Sequence, residues 1–424
     1  MKIFKFGGAS IKDPEAVRNV RRVINDFSDK KELLVVVSAM GKTTNKLEEI
    51  LSAQQKGGDY ATPMEELKAF HMDIANALFE NKEATIFKRI EKIFYLLEQN
   101  LIATYEDADE HYDQIVSFGE LLSSHIIAAY LNQENIPTQF IDARIYIQTN
   151  ENWREGQVDL DWSEKMVKAE LPPILENHVI ITQGFIGGTI SNKTTTLGRE
   201  GSDYSAAIFG YCLDAEDVTI WKDVPGIMNA DPKRVPEAIL FDQLSYKFAA
   251  EMTYYGASVI HPKTIRPLAV KQIPLKVKSF IKPEDQGTII GNFKSHTTQP
   301  AIIFKKKQSL ITFEEKDFLN VNRANIASIF NELARHHVNI NLMRNSALSI
   351  QICTDTRPVK FERVIHVLQD HFNITVEDGM ELVTLRNYNE ETIRQARLDS
   401  DEIMMEQKAE QNFQIVRRAV VLED

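Results

Sequence analysis

Near the start of the chain, a pair of glycines combines with a lysine in a way that could bind an anion. Gly7 and Gly8 directly follow the apolar run 2–6, which also contains Lys5. Glycines at the end of a strand let backbone N–H groups approach a phosphate closely, and a lysine adds a flexible ammonium group at the same place. A tight turn after an ordinary strand would show the same residues, so this motif by itself leaves both interpretations open.

A second candidate anion site lies between residues 196 and 207, where a turn containing Gly and Arg meets a predicted helix. We predict that Ser202 is the N-cap of this helix. The N-terminus of a helix presents free N–H groups and the positive end of the helix dipole, and Arg199 adds a guanidinium group suited to a carboxylate. Asp203 falls in the first turn, where a carboxylate also stabilises a helix without any other role.

A third segment, 221–233, begins at the end of a predicted strand and contains two lysines and two aspartates, namely Lys222, Asp223, Asp231 and Lys233. Open α/β sheets bind ligands just beyond the ends of their strands, although a solvated loop has the same composition. The chain has neither a G-x-x-x-x-G-K-[ST] loop nor a G-x-G-x-x-G motif after a strand. This absence argues against P-loop and dinucleotide-binding enzymes.

The composition argues against several classes of protein. The 424 residues include 49 basic and 61 acidic side chains, and the formal net charge of −12 argues against a nucleic-acid partner. Cys212 and Cys353 lie far apart in sequence, so we expect no disulfide framework and no Cys-x-x-Cys metal site, as fits a reducing cytoplasm. We find no signal-peptide pattern and no apolar run of about 18 residues, so we expect a soluble cytoplasmic protein without a membrane partner.

The first half of the chain alternates short β-branched runs with helical patterns, which is typical of a parallel sheet covered by helices. Asp13 and Pro14 predict the start of an amphipathic helix between the first two strands. Residues 63–133 predict successive helices, an all-helical insertion that could cover an active site or form a dimer face. The predicted strands are 2–6, 33–38, 138–141, 179–183, 218–221 and 275–279.

Near residue 287 the composition becomes polar and rich in turn residues, which predicts a domain boundary. We therefore expect one α/β domain over 1–290 and a second region over 300–424. The second region shows the β-α-β-β-α-β order of a ferredoxin-like module, with elements at 309–313, 324–336, 338–343, 348–353, 359–371 and 373–376. A strand, a helix and a strand from about 381 to 421 predict a shortened second copy.

Six motifs, taken together and in order, resemble those of aspartate kinases in the amino acid kinase superfamily. They are Lys5-Phe6-Gly7-Gly8-Ala9-Ser10, Ser117-Phe118-Gly119-Glu120, Gly184-Phe185-Ile186-Gly187, the 198–203 segment, Asp223-Val224-Pro225-Gly226 and the stretch from Tyr255 to Pro262. The resemblance implies a three-layer α/β/α amino-acid-kinase (carbamate-kinase-like) domain, followed by an α+β region of ferredoxin-like ACT modules. It also implies phosphorylation of the β-carboxylate of L-aspartate by ATP and Mg²⁺ to 4-phospho-L-aspartate, the first step toward lysine, threonine and methionine. A homodimer or higher homo-oligomer through the ACT region is implied as well.

The same resemblance implies a role for each site residue. Lys5 would stabilise the transferring phosphoryl group, and Asp203 would organise the site around it as the second catalytic residue. Arg199 would bind the substrate's α-carboxylate and Glu120 its ammonium group, unless Glu120 is simply an exposed helical carboxylate. The remaining substrate-binding residues would be Ser38, Thr44 and Ser202, and the ATP-binding residues would be Lys5, Gly7, Gly8, Ser10, Lys222, Asp223, Met228, Asp231 and Lys233. Thr44 could instead cap the helix that follows it, and no protein side chain is assigned to a metal ion.

The sequence departs from the family pattern at three positions of the first domain. Glu200 stands where the family usually has glycine, and Lys222 stands where threonine is common, so the two could form a compensating pair. Ser258 replaces a usual lysine, which removes one expected phosphate contact.

The second region shows a further departure from the family pattern. Asn341 and Ser346 are the predicted effector-binding residues, but Asn341 and Ala347 stand where lysine-sensitive relatives tend to have acidic residues. Without those acids the ammonium group of an amino-acid effector loses its partners, so we expect weak or absent inhibition by lysine. Two alternatives stay open at this point: a kinase for a related substrate such as glutamate, acetylglutamate or uridylate, and a catalytically silent ACT-containing amino-acid sensor.

Overall fold

The structure is a computed structural model that describes residues 1–28, 32–81, 84–257, 260–293, 299–316, 323–356, 358–398 and 402–419. Contacts divide the chain into two units. The first unit comprises Met1–Ile227, Leu240–Ala250 and Val259–His296, and the second comprises Met228–Ile239, Glu251–Ser258 and Thr297–Asp424. Two short segments that precede residue 290 therefore group with the second unit.

The described part of the first unit contains an eight-stranded sheet in the order β3-β4-β2-β1-β7-β9-β10-β8 and a two-stranded sheet, β5-β6. The strands are β1 (Lys2–Phe6), β2 (Leu33–Val37), β3 (Thr138–Ile141), β4 (Val179–Gln183), β5 (Ile186–Gly188), β6 (Thr194–Thr196), β7 (Asp217–Lys222), β8 (Gln243–Ser245), β9 (Leu275–Ser279) and β10 (Thr288–Gly291). Within the large sheet only the β9–β10 pair is antiparallel among the described strands. The six strands predicted from the sequence are confirmed to within a residue at each end.

Helices account for most of the remaining described residues up to 271. They are α1 (Pro14–Phe27), α2 (Thr43–Gln55), α3 (Ala61–Leu78), α4 (Thr85–Ile102), α5 (Ala108–Val116), α6 (Phe118–Gln133), α7 (Ala143–Tyr146), α8 (Leu160–Glu170), α9 (Pro172–Leu175), α10 (Gly201–Cys212), α11 (Tyr246–Tyr254) and α12 (Pro262–Lys271). The side chain of Asp13 caps α1 as predicted, because it accepts a hydrogen bond from the N–H of Ala16. The helical insertion predicted over 63–133 is also confirmed. None of the described helices has the length and apolar composition needed to cross a membrane.

The two faces of β1 explain how helices cover both sides of the sheet. Phe4 and Phe6 belong to a buried cluster that also contains apolar side chains of α1 to α6. Ile3 points to the opposite face, against which α10 packs. A Cβ on Gly210 of this helix would lie in ordinary contact, 3.8 Å from Ile3 Cγ1. Because side chains alternate along a strand, Lys5 shares the α10 face with Ile3. This alternation places an ammonium group beside the helix that begins at Gly201.

The described part of the second unit contains an antiparallel sheet of six strands, in the order β12-β13-β11-β14-β16-β15. Its elements are β11 (Ala301–Glu315), α13 (Arg323–Arg335), β12 (Leu342–Asn345), β13 (Ser349–Asp355), α14 (Pro358–Leu368), β14 (Phe372–Arg386), α15 (Glu390–Leu398), β15 (Ile403–Lys408) and β16 (Asn412–Arg418). This order agrees with the predicted ferredoxin-like module and a shortened copy.

The strand boundaries of this sheet differ from the sequence prediction in two ways. First, β11 begins at Ala301 rather than at 309, and the strand predicted at 373–376 continues without a break to Arg386. The two long strands extend through both modules, because their pairing resumes after register shifts near Gln308. Second, β12 begins at Leu342 rather than at 338. The helix α13 ends at Arg335, the left-handed residue His337 then turns the chain, and residues 338–341 connect this turn to the strand.

Candidate active site

Three neighbouring parallel strands bring predicted site residues to one edge of the large sheet. In β1, Lys5 pairs with Val36 of β2 and with Ile220 of β7. Lys222 ends β7, and Ser38 directly follows β2. Because the carboxyl ends of parallel strands lie at the same edge, residues that are distant in the sequence lie at the same edge of this sheet.

The carboxylate of Asp203 forms ion pairs with both Lys5 and Lys222. Lys5 Nζ lies 2.6 Å from Asp203 Oδ1, and Lys222 Nζ lies 3.1 Å from Asp203 Oδ2. The exposed fractions of the three side chains are 8% for Lys5, 20% for Lys222 and 2% for Asp203. We call these three residues the Lys–Asp–Lys cluster. With two cations and one anion, the cluster has an excess positive charge at a largely buried place, which favours binding of a further anion.

The charge state of Asp203 follows from its neighbours. Burial alone would raise the pKa of this carboxyl, but the nearby charges of Lys5 and Lys222 outweigh burial and hold its pKa below the usual value. Its position in the first turn of α10 also favours a negative charge, because the positive end of the helix dipole lies there. Asp203 is therefore ionised near neutral pH and fixes the positions of both lysine side chains.

The start of α10 differs from the sequence prediction. The N-cap is Glu200, in a left-handed conformation with φ 53° and ψ 30°, and its side chain makes no capping hydrogen bond. Ser202 is the second helical residue, so its prediction as the N-cap is wrong. The helix begins early because Gly198, also left-handed, turns the chain so that the N–H of Gly201 bonds to the Gly198 carbonyl. Ser202 is buried beside Gly184, where a Cβ would lie 2.5 Å from Ser202 Cβ.

Glu200 contributes a second carboxylate near the cluster. Its side chain is half-buried, and its Oε2 atom is buried without a hydrogen-bond partner among the described residues. Burial raises the pKa of Glu200, whereas the charge of Lys222 opposes this rise. The compensation of Glu200 by Lys222 predicted from the sequence agrees in sign with this effect. Lys222 also forms an ion pair with Asp203.

The Gly-Gly motif shapes the backbone beside Lys5. Residues 8–11 form a short 3-10 helix. A Cβ on Gly8 would lie 2.7 Å from the carbonyl oxygen of Ala39, and the N–H of Gly41 donates to the Gly8 carbonyl at 3.1 Å. A Cβ on Gly7 would lie 3.5 Å from Lys5 Nζ. Gly8 thus permits close packing of two backbone segments, and Gly7 leaves the approach to the ammonium group open. Ser10 is buried, and its hydroxyl donates to the Trp221 carbonyl at 3.4 Å.

Glu120 is a buried acid with one free oxygen. It lies in the first turn of α6 with an exposed fraction of 2%, so the alternative of an exposed helical carboxylate is wrong. Its Oε1 atom accepts a hydrogen bond from the N–H of Ala39 at 3.2 Å, while Oε2 is buried without a hydrogen-bond partner among the described residues. Burial raises the pKa of Glu120 to about 8. A ligand cation beside Oε2 would remove this penalty by pairing with the carboxylate.

One supporting residue was missed by the sequence analysis. Asp113 of α5 is fully buried, and its carboxylate accepts hydrogen bonds from the N–H of Thr196 at 2.9 Å and from the hydroxyl of Thr196 at 2.7 Å. It also accepts from the N–H of Arg154 at 2.9 Å. Asp113 therefore fixes the chain just before the turn that leads to α10. An acid in an amphipathic helix gives no sequence signal that separates such a role from an exposed position.

Comparisons with known proteins decide the family. Residues 1–279 match the model of the amino acid kinase family. The lysine-sensitive aspartokinase 3 of Escherichia coli is 32% identical over 400 residues, which cover 90% of this chain and 86% of that protein. The chain belongs to the aspartokinase family. Aspartokinase 1 of Arabidopsis thaliana, a chloroplastic protein, is 31% identical over 383 residues, which cover 87% of this chain and 66% of that protein.

Solved aspartokinase structures agree with this assignment over nearly the whole chain. The E. coli aspartokinase III in complex with aspartate and ADP, in its R-state, has a TM-score of 0.83 at 27% identity and covers 99% of this chain and 96% of that one. The same enzyme in complex with lysine and aspartate, in its T-state, has a TM-score of 0.80 at 28% identity. The chain spans 47% of a bifunctional aspartokinase/homoserine dehydrogenase of Buchnera aphidicola, to which it is 28% identical.

Three other predicted substrate-binding residues of the aspartokinase site differ in how exposed they are. Arg199 is exposed and forms no ion pair with any residue in the described ranges. Ser38 is half-buried, and its N–H donates to the Phe6 carbonyl at 3.1 Å. Thr44 is half-buried in the first turn of α2, whose N-cap is Lys42, so the alternative that Thr44 caps this helix is wrong. The substrate-binding roles of all three residues remain predictions.

The predicted ATP-binding residues of the third motif fall in both units. Asp223 is exposed in the first unit, whereas Met228, Asp231 and Lys233 belong to the second. Asp231 Oδ1 accepts a hydrogen bond from the N–H of Lys233 at 3.0 Å, so the two residues share one turn. Their contacts with a nucleotide remain a prediction. Ser258, the residue in place of a usual lysine, lies outside the described residues.

The two predicted effector residues have different environments in the second unit. Asn341 is bonded on both sides of its amide, because Lys305 Nζ donates to its Oδ1 at 2.9 Å and its Nδ2 donates to Gln308 at 2.6 Å. Ser346 is exposed in the β12–β13 hairpin, where its hydroxyl contacts the Ser349 hydroxyl at 2.8 Å. Asn341 would have to break internal hydrogen bonds to bind an effector, whereas Ser346 is accessible.

Proposed function

We propose that this chain transfers the γ-phosphoryl group of ATP to the side-chain carboxylate of L-aspartate, which produces 4-phospho-L-aspartate and ADP. The observation that supports this function most directly is the Lys–Asp–Lys cluster, in a chain of the aspartokinase family. A carboxylate nucleophile is already ionised near pH 7, so the reaction needs no general base. The obstacle is repulsion between two anions, and the two ammonium groups of the Lys–Asp–Lys cluster reduce it.

Lys5 and Lys222 would act on the phosphoryl group during transfer. As an aspartate carboxylate oxygen forms its bond to the γ-phosphorus, the bond from that phosphorus to the bridging oxygen of ADP breaks. Negative charge then spreads over the transferring group and the leaving oxygen. Two ammonium groups fixed by Asp203 stabilise this charge without having to reorient, which is the main advantage of a preorganised site.

Recognition of aspartate is assigned to three kinds of group. Glu120 would bind the ammonium group through its unpaired Oε2, and Arg199 would bind the α-carboxylate with its guanidinium. Ser38, Thr44 and Ser202 would supply further polar contacts. A buried acid with one free oxygen selects a cationic group, so an α-amino acid is favoured over a simple dicarboxylate.

ATP would be bound by backbone N–H groups of Gly7 and Gly8 and by Lys222, with further contacts from Asp223 and from the segment that follows it. We expect Mg²⁺ to arrive with the nucleotide. Within the described ranges, no group of three His, Cys, Asp or Glu side chains is placed to hold a metal ion. Phosphate oxygens and water would be the main ligands of this ion, as is common for Mg²⁺.

Two edge strands of the six-stranded sheet, β12 and β15, leave backbone groups available on one side among the described strands. Such edges pair readily with another chain. We infer a homodimer through this region, and light scattering after size-exclusion chromatography should give twice the chain mass of 48.4 kDa. A particle of the single-chain mass would contradict this inference.

Trapping the acyl phosphate with hydroxylamine tests the proposed reaction. We expect hydroxamate from ATP with aspartate and little from ATP with glutamate, and the Lys5→Ala variant should lose at least about 100-fold in kcat because it removes one fixed cation. Lys276→Ala is the matched control, because Lys276 forms a 2.8 Å ion pair with the buried Asp217 at the opposite end of β7. This control should retain activity. ATP binding without any turnover would instead support the silent sensor.

A further inference from the structure

Glu200 lies at the start of α10 in a backbone conformation that side chains rarely adopt. Its φ of 53° and ψ of 30° fall in the left-handed region, which is unfavourable for a residue that carries a Cβ. Two hydrogen bonds hold this conformation, because the Glu200 carbonyl accepts from the N–H groups of Asp203 at 3.0 Å and Tyr204 at 3.2 Å. The glutamate side chain does not offset the strain by capping the helix.

The side chain of Glu200 also leaves one carboxylate oxygen unsatisfied. Its Oε2 atom is buried without a hydrogen-bond partner among the described residues. A buried carboxylate oxygen without a donor is unfavourable, so the local structure gives no stabilising reason for a glutamate at this position. Strained residues of this kind occur mainly at functional sites, so the charges around the carboxylate are the ones that matter.

The charges that act on Glu200 are those of the Lys–Asp–Lys cluster and of Arg199. Burial raises the pKa of Glu200, the positive charges of Lys222, Arg199 and Lys5 oppose this rise, and the Asp203 carboxylate adds to it. All of these residues belong to the first unit. When Glu200 is ionised, two carboxylates accompany the two ammonium groups of the cluster, so its excess positive charge is largely cancelled.

We propose that Glu200 sets the affinity of this anion site: its ionised carboxylate cancels part of the positive charge of Lys5 and Lys222 and thereby weakens the binding of nucleotide phosphates. This inference rests on the proposed function, which brings the phosphates to the Lys–Asp–Lys cluster. Because ADP has to leave before the next ATP can bind, a limit on phosphate affinity favours turnover.

The same arrangement predicts that nucleotide binding takes up a proton. A phosphate anion near Glu200 makes the ionised form of its carboxyl less favourable, so a fraction of Glu200 binds a proton as the nucleotide enters. Linkage then requires the affinity for ADP to decrease as the pH rises through the range in which Glu200 ionises. A purely structural role of Glu200 would produce neither effect.

Neutral substitutions of Glu200 test this proposal. For Glu200→Gln we expect the Kd for ADP, measured with Mg²⁺, to fall about fivefold, because only one carboxylate then opposes the two lysines. Glu200→Gly should show the same fall and also a higher Tm, since glycine adopts the left-handed conformation without strain. Glu216→Gln is the matched control and should leave the Kd unchanged, because Glu216 is exposed and precedes β7 at the end opposite Lys222.

Lys222→Met tests the charge balance from the other side. Alone, it should raise the Kd for ADP about tenfold, because the two carboxylates then outnumber the one remaining lysine of the cluster. Combined with Glu200→Gln, it should bring the Kd back to within about threefold of the wild-type value, because one cation and one anion are removed together. A double variant that binds ADP as weakly as Lys222→Met alone would contradict the proposed balance.

Calorimetry in buffers of different ionisation enthalpy counts the protons that are taken up with ADP. The difference between wild type and Glu200→Gln isolates the share of Glu200, because the protons bound by ADP itself are common to both. A wild-type protein that makes no hydroxamate, but binds ADP more weakly than Glu200→Gln does, would refute the proposed reaction and support the role of Glu200. An unchanged or higher Kd in Glu200→Gln, or equal proton uptake in the two proteins, would overturn the proposal even if hydroxamate is formed.

Discussion

At the residue scale, the site depends on the contacts of two buried carboxylates. Asp203 binds two lysines, and Glu120 has one oxygen that accepts a hydrogen bond and one without a partner in the described part of the chain. The sequence motifs predicted that Lys5, Lys222 and Asp203 belong to one site, and the structure brings these three together. The burial of Glu120 and the hydrogen bond from the Ala39 N–H to its Oε1 depend on a loop that is distant in the sequence. No local pattern contains that information.

The raised pKa of Glu120 predicts a pH dependence of aspartate use. Only the ionised carboxylate can pair with the substrate's ammonium group, and kcat/KM reports ionisations of the free enzyme. We therefore expect kcat/KM for aspartate to increase as the pH rises through about 8, the pKa to which burial raises Glu120. Glu120→Gln should be less active and should lack this step. A wild-type profile that is flat through this range would contradict the assigned role.

At the element scale, the position of α10 is set by backbone contacts that leave no room for a side chain. The Gly184-containing motif was recognised in the sequence, but its reason is visible only in the structure, where Gly184 contacts Ser202. The N-cap of α10 was predicted wrongly because Glu200 adopts a left-handed conformation that a propensity argument does not assign to glutamate. Tertiary contacts, rather than local preference, determine where this helix begins.

Substitution of Gly184 tests how closely α10 is held. In Gly184→Ala the new Cβ would lie 2.5 Å from Ser202 Cβ and 2.7 Å from Ser202 Cα, so α10 must shift and move Asp203 away from both lysines. We expect a loss of about 1–3 kcal/mol in the free energy of unfolding, as for other overpacked sites, together with a reduced kcat. Denaturant unfolding and steady-state kinetics measure the two effects.

Gly58→Ala is the control for this prediction. The nearest atom to a Cβ on Gly58 is the Ala53 carbonyl oxygen at 3.5 Å, which is an ordinary contact, so this change should leave both properties nearly unaltered. If Gly184→Ala behaves like Gly58→Ala, the close approach of residue 184 to α10 does not matter for the site.

At the scale of the whole molecule, the second unit includes two segments, 228–239 and 251–257, from within the predicted catalytic region. The predicted boundary near residue 287 marks a change in composition, but composition cannot show which earlier loops pack elsewhere. Partly buried ion pairs such as Arg386–Glu251, at 2.6 Å, join residues that are distant in sequence. Such pairs give no periodic signal, so the sequence analysis did not predict them.

The response of the enzyme to lysine is predicted at the scale of the whole molecule. The amide of Asn341 is bonded to Lys305, Gln308 and Asp355, and Lys305 Nζ also lies 2.9 Å from Asp355 Oδ1. The one described carboxylate bonded to Asn341 is thus already paired with a cation of the chain itself. We expect weak or absent inhibition of aspartate phosphorylation by lysine in a steady-state assay. Strong inhibition at physiological lysine concentrations would contradict this expectation, and Ser346→Ala would then show whether the hairpin is involved.

The sequence by itself determined the class of fold, the strands of the large sheet and the membership of Lys5, Lys222 and Asp203 in one site. The fold class and the strands follow from periodicity and turn residues, which are local in the chain, whereas the shared site is what the resemblance to aspartate kinases implies. Only the tertiary structure decided that Glu120 keeps an unpaired oxygen and that Asp203 forms ion pairs with both lysines. Burial and ion pairing depend on which distant segments come together, and a single sequence does not encode those contacts in any short pattern.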